Sequence, residues 1–199
     1  MRAFFAVDLP DDLAEQVAEA QAVFEGAQGL RFVDPEQAHV TLKFLGEVDE
    51  SDADDADDAD ETAAPALDDA IAAGERAVAA ADVGRFECAV EGFGAFPNRD
   101  DVSVVWAGVE RGGDDLTALH RALEAETTAL GVDPADHAFT PHVTLARVES
   151  ATEAEAVRDA LDAGDPEVGA FSVDEIRLVA STLTASGAEY DAVREFRLE

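Results

Sequence analysis

Apolar residues recur in this chain with two periods, one close to two and one close to 3.6, and the switches between them mark the elements. Arg2 to Leu9 is rich in Phe, Ala and Val and is closed by Pro10, which predicts a buried strand. Asp11 or Asp12 then caps a helix running to about Glu25. Its Leu13, Val17 and Phe24 share one broad face, and Gly26 and Gly29 end it. Leu30 to Val33 reads as a short strand before an Asp34-Pro35 turn, and Ala38 to Val48 as a longer one. A second helix starts at Pro65 and runs to about Ala81. Phe86 to Phe96 and Val102 to Val109 form an antiparallel pair through the turn residues Pro97 to Asp101. Asp114 to Leu130 is an amphipathic helix with Leu116, Leu119, Leu123 and Leu130 on one face, closed by Gly131. Ala138 to Val148 is a strand, Thr152 to Ala163 a helix, and Phe171 to Leu183 and Glu189 to Leu198 are strands.

Helices alternate with strands, yet several strands are joined by short turns. That pattern predicts an α+β fold with antiparallel sheets instead of a doubly wound parallel one. The 199 residues suit one domain, 1–199, built from two lobes. One stretch departs from both periods. Residues 49–64 are nearly all Asp, Glu, Ala, Ser and Thr and read as a flexible acidic insertion.

The chain repeats itself once. His39-Val40-Thr41-Leu42 returns as His142-Val143-Thr144-Leu145, Val-Asp-Pro precedes both copies, and each follows a helix. Two similar lobes facing across a cleft would bring the two phrases together. On a strand, alternate side chains share a face, so His39, Thr41 and Lys43 point one way and Val40, Leu42 and Phe44 the other. His142 and Thr144 share a face in the same manner. Arg147 has the wrong parity for it and needs a bulge, or its own length at the strand end, to reach the cleft rim. Two histidines in opposite protonation states can divide general acid and general base work. Two hydroxyls and two cations beside them suit a phosphate ester, the cations because guanidinium and ammonium both bind phosphate.

The competing readings are weaker. His137 and His142 lie five residues apart among many aspartates, but neither phrase has a second His or Cys at ligand spacing, so no metal site is expected. His120 falls inside a helix and reads as an interfacial residue, and His137 as an exposed loop residue. Cys88 lies between Phe86 and Val90 and reads as an inert packed thiol.

Forty-six acidic residues face thirteen basic ones, for a net charge of −33, and Lys43 is the one lysine. Such a surface repels itself at low ionic strength and suits a salt-rich cytoplasm, where the Debye length falls to about 3 Å at molar salt. Acidic residues spread along the whole chain argue against a patch for a basic partner. No segment is long and apolar enough for a signal peptide or a membrane span, so a cytoplasmic monomer is expected.

At these residues the chain resembles the 2H phosphoesterases, named for two His-x-Thr motifs, and within them the RNA 2′,3′-cyclic phosphodiesterases once called 2′-5′ RNA ligases. The resemblance runs through Arg2 to Pro10, Leu30 to Val33, His39 to Gly46, Gly92 to Pro97, Pro141 to Val148 and Ser181 to Leu183. It implies a bilobal α+β fold with a central cleft and one motif from each lobe. It implies cofactor-free opening of RNA 2′,3′-cyclic phosphate ends to 2′-phosphomonoesters, with His39 as proton donor, His142 as proton acceptor, and Thr41 and Thr144 beside them. Joining of such an end to a 5′-hydroxyl is implied as a second activity. Lys43, Arg147, Arg31 and Phe32 complete the expected substrate-binding set, although the family more often has Trp where this chain has Phe32. An enzyme acting on a small cyclic nucleotide and a non-catalytic module that binds RNA ends are the alternatives.

Overall fold

The computed structural model describes residues 1–50, 64–149, 154–164, 166–184 and 187–199. Among the described residues, nine strands form one continuous sheet. They are β1 (Arg2–Asp8), β2 (Leu30–Phe32), β3 (His39–Glu47), β4 (Phe86–Pro97), β5 (Val102–Arg111), β6 (His142–Val148), β7 (Glu167–Val173), β8 (Glu175–Thr184) and β9 (Gly187–Arg197). The α-helices of the described residues are α1 (Ala14–Ala22), α2 (Leu67–Ala81), α3 (Gly113–Thr128) and α4 (Ala154–Asp162). The order across the sheet is β7-β4-β5-β6-β3-β1-β8-β9, with β2 beside β6. Every strand pairing is antiparallel. The α+β class with antiparallel sheets expected from the sequence is the observed one, and its two lobes are halves of a single sheet.

The halves mirror one another about the junction of β3 and β6, which meet at the Val40–Val143 pair. On one side β3 continues to β1, β8 and β9; on the other β6 continues to β5, β4 and β7. The helices are exchanged between the halves. Helix α1 precedes β3 in the chain but packs on β6 and β7, while α3 precedes β6 but packs on β3. Each helix has an apolar face to bury: Val17 and Ala20 on α1, and Leu116, Leu119 and Leu123 on α3. Phe24, just past α1, sets its ring edge-on to Phe93 of β4 at 4.9 Å. Together with Phe5, Leu42, Leu145, Ile176 and Leu178 these residues form one core behind the sheet. Each such fully buried side chain contributes roughly 1.5–3 kcal/mol.

Two expectations need correction or fall outside the described residues. The single strand expected over Phe171 to Leu183 is two strands in different halves, since β7 pairs with β4 and β8 with β1. The chain changes halves at Asp174, whose carbonyl accepts from Leu198 N–H at 2.9 Å. Apolar alternation continues through this point, and one aspartate is too weak a turn signal to read. Of the stretch 49–64 read as an acidic insertion, residues 51–63 lie outside the described residues. Asp49 closes its near end by pairing with Ala66.

Candidate active site

The junction of the two halves places the repeated phrases side by side. Val40 and Val143 are bridged and buried behind the sheet. The register carried one step each way sets His39 opposite Thr144 and Thr41 opposite His142, all four on the opposite face. Diagonal neighbours in such a pair lie about 7–8 Å apart along the backbone. That separation lets two imidazoles flank one phosphorus atom.

Both histidines are anchored in the same way. His39 Nδ1 donates to the carbonyl of Gln37 at 2.8 Å, and His142 Nδ1 donates to that of Thr140 at 2.7 Å. In each case the acceptor lies two residues earlier, where a turn enters the strand. The backbone therefore holds the proton on Nδ1 and leaves Nε2 for chemistry. Burial pushes both imidazoles below the ordinary histidine range of about 6.5. The nearby charges differ. The Asp8 carboxylate favours the imidazolium of His39, and Arg147 disfavours it. Around His142, Arg147, His39 and His137 all disfavour the charged form.

A β-bulge at the last residue closes each phrase. Against β5, Trp106 pairs with Thr144 and Val105 with Ala146, so Leu145 is the extra residue. Against β1, Ala6 pairs with Thr41 and Phe5 with Lys43, so Leu42 is extra. Each bulge reverses the alternation beyond it. Leu145 and Ala146 are consecutively buried, and Arg147 comes to the histidine face, close enough to act on both imidazoles. The bulge that Arg147 needed is present.

The same reversal takes Lys43 away from the cleft, which corrects its expected place beside His39 and Thr41. Lys43 is only 5 % exposed. Its ammonium binds the Glu124 carboxylate at 2.8 Å and the Asp133 carbonyl at 2.8 Å, both behind the sheet. Phe44 takes the cleft position instead and is 62 % exposed. Arg31 is opposite Arg147 in the β2–β6 pair and carries an exposed ion pair to Glu149 at 3.1 Å. Phe32 packs against the main core as a partly buried residue, which the Trp comparison did not indicate. His120 is at the α3–β3 interface and His137 is exposed beside Asp136, as their sequence contexts suggested.

Aromatic rings that the pattern of motifs did not single out flank each histidine. Phe4 and Tyr190 lie 5.0 and 5.1 Å from the His39 ring, and Phe44 stands 5.8 Å from Phe4. Phe96 and Trp106 lie 4.9 and 5.8 Å from the His142 ring. The Trp106 indole lies across Gly94, where any Cβ would collide with it. The signal for two of these rings was scarcity, because Tyr190 and Trp106 are the chain's one tyrosine and one tryptophan. Among the described residues, no group of three or more His, Cys, Asp or Glu is arranged to hold a metal ion. No helix among them is long and apolar enough to cross a membrane.

This geometry has counterparts among known proteins. A family model described as the 2′-5′ RNA ligase superfamily matches residues 9–184. The RNA 2′,3′-cyclic phosphodiesterase of Methanothermobacter thermautotrophicus is 32% identical, over 100% of this chain and 99% of that protein. The protein of the same name from Aeropyrum pernix is 36% identical, over 84% of this chain and 86% of that protein. The crystal structure of a Thermus thermophilus protein, TT0787, covers 100% of this chain and 98% of its own, with a TM-score of 0.73 and 28% sequence identity. That of E. coli LigT complexed with 3′-AMP has a TM-score of 0.72 at 24% identity, covers 99% of this chain and 97% of its own, and so has the same fold. Paired His-x-Thr strands at the centre of one curled sheet, and a family match reaching from Leu9 to Thr184, mean that this chain belongs to the 2′-5′ RNA ligase superfamily.

Proposed function

We propose that this protein hydrolyses RNA 2′,3′-cyclic phosphate ends to 2′-phosphomonoesters, with the whole chain acting as one catalytic unit. The observation that carries the reading is the matched anchoring of His39 and His142, each held through Nδ1 so that Nε2 is left for chemistry, on two strands that pair at Val40–Val143. Water attacks phosphorus, and His142 Nε2 takes its proton. The bond from phosphorus to the 3′ oxygen breaks, and His39 Nε2–H delivers a proton to that oxygen. The products are a 2′-phosphate and a free 3′-hydroxyl. Thr41 and Thr144 donate to the non-bridging oxygens, where negative charge builds, and Arg147 neutralises it. No cofactor enters the scheme. Each proton transfer is worth roughly 10²- to 10⁴-fold in rate.

The surrounding charges support this division of labour. Burial lowers both imidazoles; of the charges near them, Asp8 favours a protonated His39, as a proton donor requires, and Arg147 favours a neutral His142. The aromatic rings beside the histidines suit the base of the terminal nucleotide that carries the cyclic phosphate. Stacking contributes about 1–3 kcal/mol per base and tolerates any sequence. With a ribose 5′-hydroxyl in place of water, the same displacement joins two RNA ends through a 2′-5′ bond. The net charge of −33 opposes binding of long polyanions, so the terminus of the RNA is the recognised feature. The same charge suits a monomer working in a salt-rich cytoplasm.

The experiment is incubation with RNA bearing a terminal 2′,3′-cyclic phosphate, in concentrated KCl with a chelator, followed by product identification. A 2′-phosphate product supports the reading. Binding of the end without turnover would make the protein an RNA-end-binding module, and faster turnover of a mononucleoside cyclic phosphate than of RNA would make a small nucleotide its substrate.

A further inference from the structure

The two bulges are held by side chains, and the holding groups are matched across the molecular pseudo-symmetry. His120 of α3 donates through Nδ1 to the carbonyl of Leu42, the extra residue of β3, at 2.8 Å. Gln21 of α1 donates through Nε2 to the carbonyl of Leu145, the extra residue of β6, at 3.0 Å, and to that of Val33 at 2.8 Å. Each clasp comes from the helix that the exchange brings onto that half of the sheet.

Neither side chain is there for want of an alternative. Gln21 is only 7 % exposed on an otherwise apolar helix face, among Val17, Ala20 and Phe24. A buried amide is costly unless its hydrogen bonds are made, and here both go to backbone carbonyls of the β2–β6 region. The His120 ring stacks on Phe139 at 4.2 Å and 7°, so its plane is fixed while Nδ1 meets Leu42. One turn further along α3, Glu124 binds Lys43, the residue after that bulge. Helix α3 thus grips two successive residues of β3.

We propose that Gln21 and His120 are positioning residues for the catalytic cleft. By holding the carbonyl of the bulged leucine, each fixes the residue count at which alternation reverses after His-x-Thr. Gln21 thereby presents Arg147 to the reacting phosphate, and His120 presents Phe44 beside Phe4 and His39. Neither residue touches substrate. The inference rests on the phosphodiesterase reading above.

The test is steady-state kinetics on a 2′,3′-cyclic phosphate substrate with five single variants, R147A among them, and the Q21L/R147A double variant. Q21L and H120F remove the donors while keeping bulk and, for H120F, the stack on Phe139. Q21H and H120Q exchange the two donors between the sites. Q21L should raise KM about tenfold, the effect of a lost charge-assisted contact at Arg147, with kcat changed less. Q21L should add nothing to R147A, because both act through the same guanidinium. H120F should raise KM for nucleotide substrates but not for ribose 2′,3′-cyclic phosphate, which lacks a base for Phe44 to meet. Q21H and H120Q should restore KM toward the wild-type value.

A folded Q21L with unchanged KM overturns the proposal, and so does an equal penalty for Q21L in the wild-type and R147A backgrounds. If Q21L does not fold, the H120F and H120Q pair decides, and equal KM values for those two refute it. Wild-type protein that fails to open the cyclic phosphate defeats the phosphodiesterase reading instead, and is recognised by that result alone.

Discussion

The two His-x-Thr strands begin alike and end differently. In β3 and β6 the same four residues, the same Nδ1 anchor and the same bulged leucine recur. After the bulge, β3 continues Lys43-Phe44 and β6 continues Ala146-Arg147. The first strand buries its cation under α3 and offers an aromatic ring to the cleft. The second buries a methyl group and offers a cation. A duplicated frame thus supplies two imidazoles in mirrored positions, while the residues just beyond make one side apolar and the other electropositive. Burial lowers both imidazoles, and the charges around them differ, with Asp8 favouring the charged form of His39 and Arg147 disfavouring that of both rings.

The comparison breaks first at the imidazoles. H39A and H142A should each lower kcat by about 10³-fold, the typical worth of one positioned proton transfer, and each should remove a different limb of a bell-shaped pH–rate profile. Loss of the same limb in both variants would end the division of labour. Arg147 comes next. R147M should raise KM about ten- to a hundredfold and move both limbs to higher pH, because Arg147 is among the groups holding both histidines down. Movement of only one limb would place the guanidinium against a single ring.

Lys43 should respond in the opposite manner. K43M leaves Glu124 facing the space of a lost ammonium and should cost about 1–3 kcal/mol of stability, read by denaturant melting, with kcat/KM within about threefold of wild type. A large loss of catalysis at unchanged stability would return Lys43 to the cleft. The smallest effect concerns pH and stability. The unfolded chain titrates its histidines near 6.5, and burial places His39 and His142 lower in the fold. As pH falls below about 6.5 the unfolded state therefore takes up more protons, and folded-state stability falls until the native values are passed. An H39Q/H142Q double variant should show a shallower decline than wild type over that window.

The sequence was most legible where its periods were uninterrupted. The order of strands and helices, the antiparallel class and the shared face of His39 and Thr41 all follow from apolar spacing and from one repeated tetrapeptide. Lys43 was misplaced because a bulge is a backbone event with no residue code of its own. Leu42 looks like any other alternating leucine, and only the register against β1 shows it to be extra. Arg147 escaped that error because its wrong parity already called for a bulge. The Asp174 crossover was invisible because β7 and β8 are apolar up to and beyond one aspartate. Tyr190 and Phe96 reach the histidines from strands far away in the chain, and local pattern carries no record of such proximity.

The position of β8 has a consequence for how this polypeptide is made. Strand β1 leaves the ribosome before the other eight described strands, yet one of its neighbours is β8, about 170 residues later, and the back of β3 is covered by α3. During synthesis the His39 half therefore waits with an open edge and an uncovered apolar surface, while the His142 half is complete as soon as β7 has emerged. Strands β8 and β9 finish the half that β1 began, so a nascent chain arrested before Glu175 would carry both histidines without the wall that holds Tyr190.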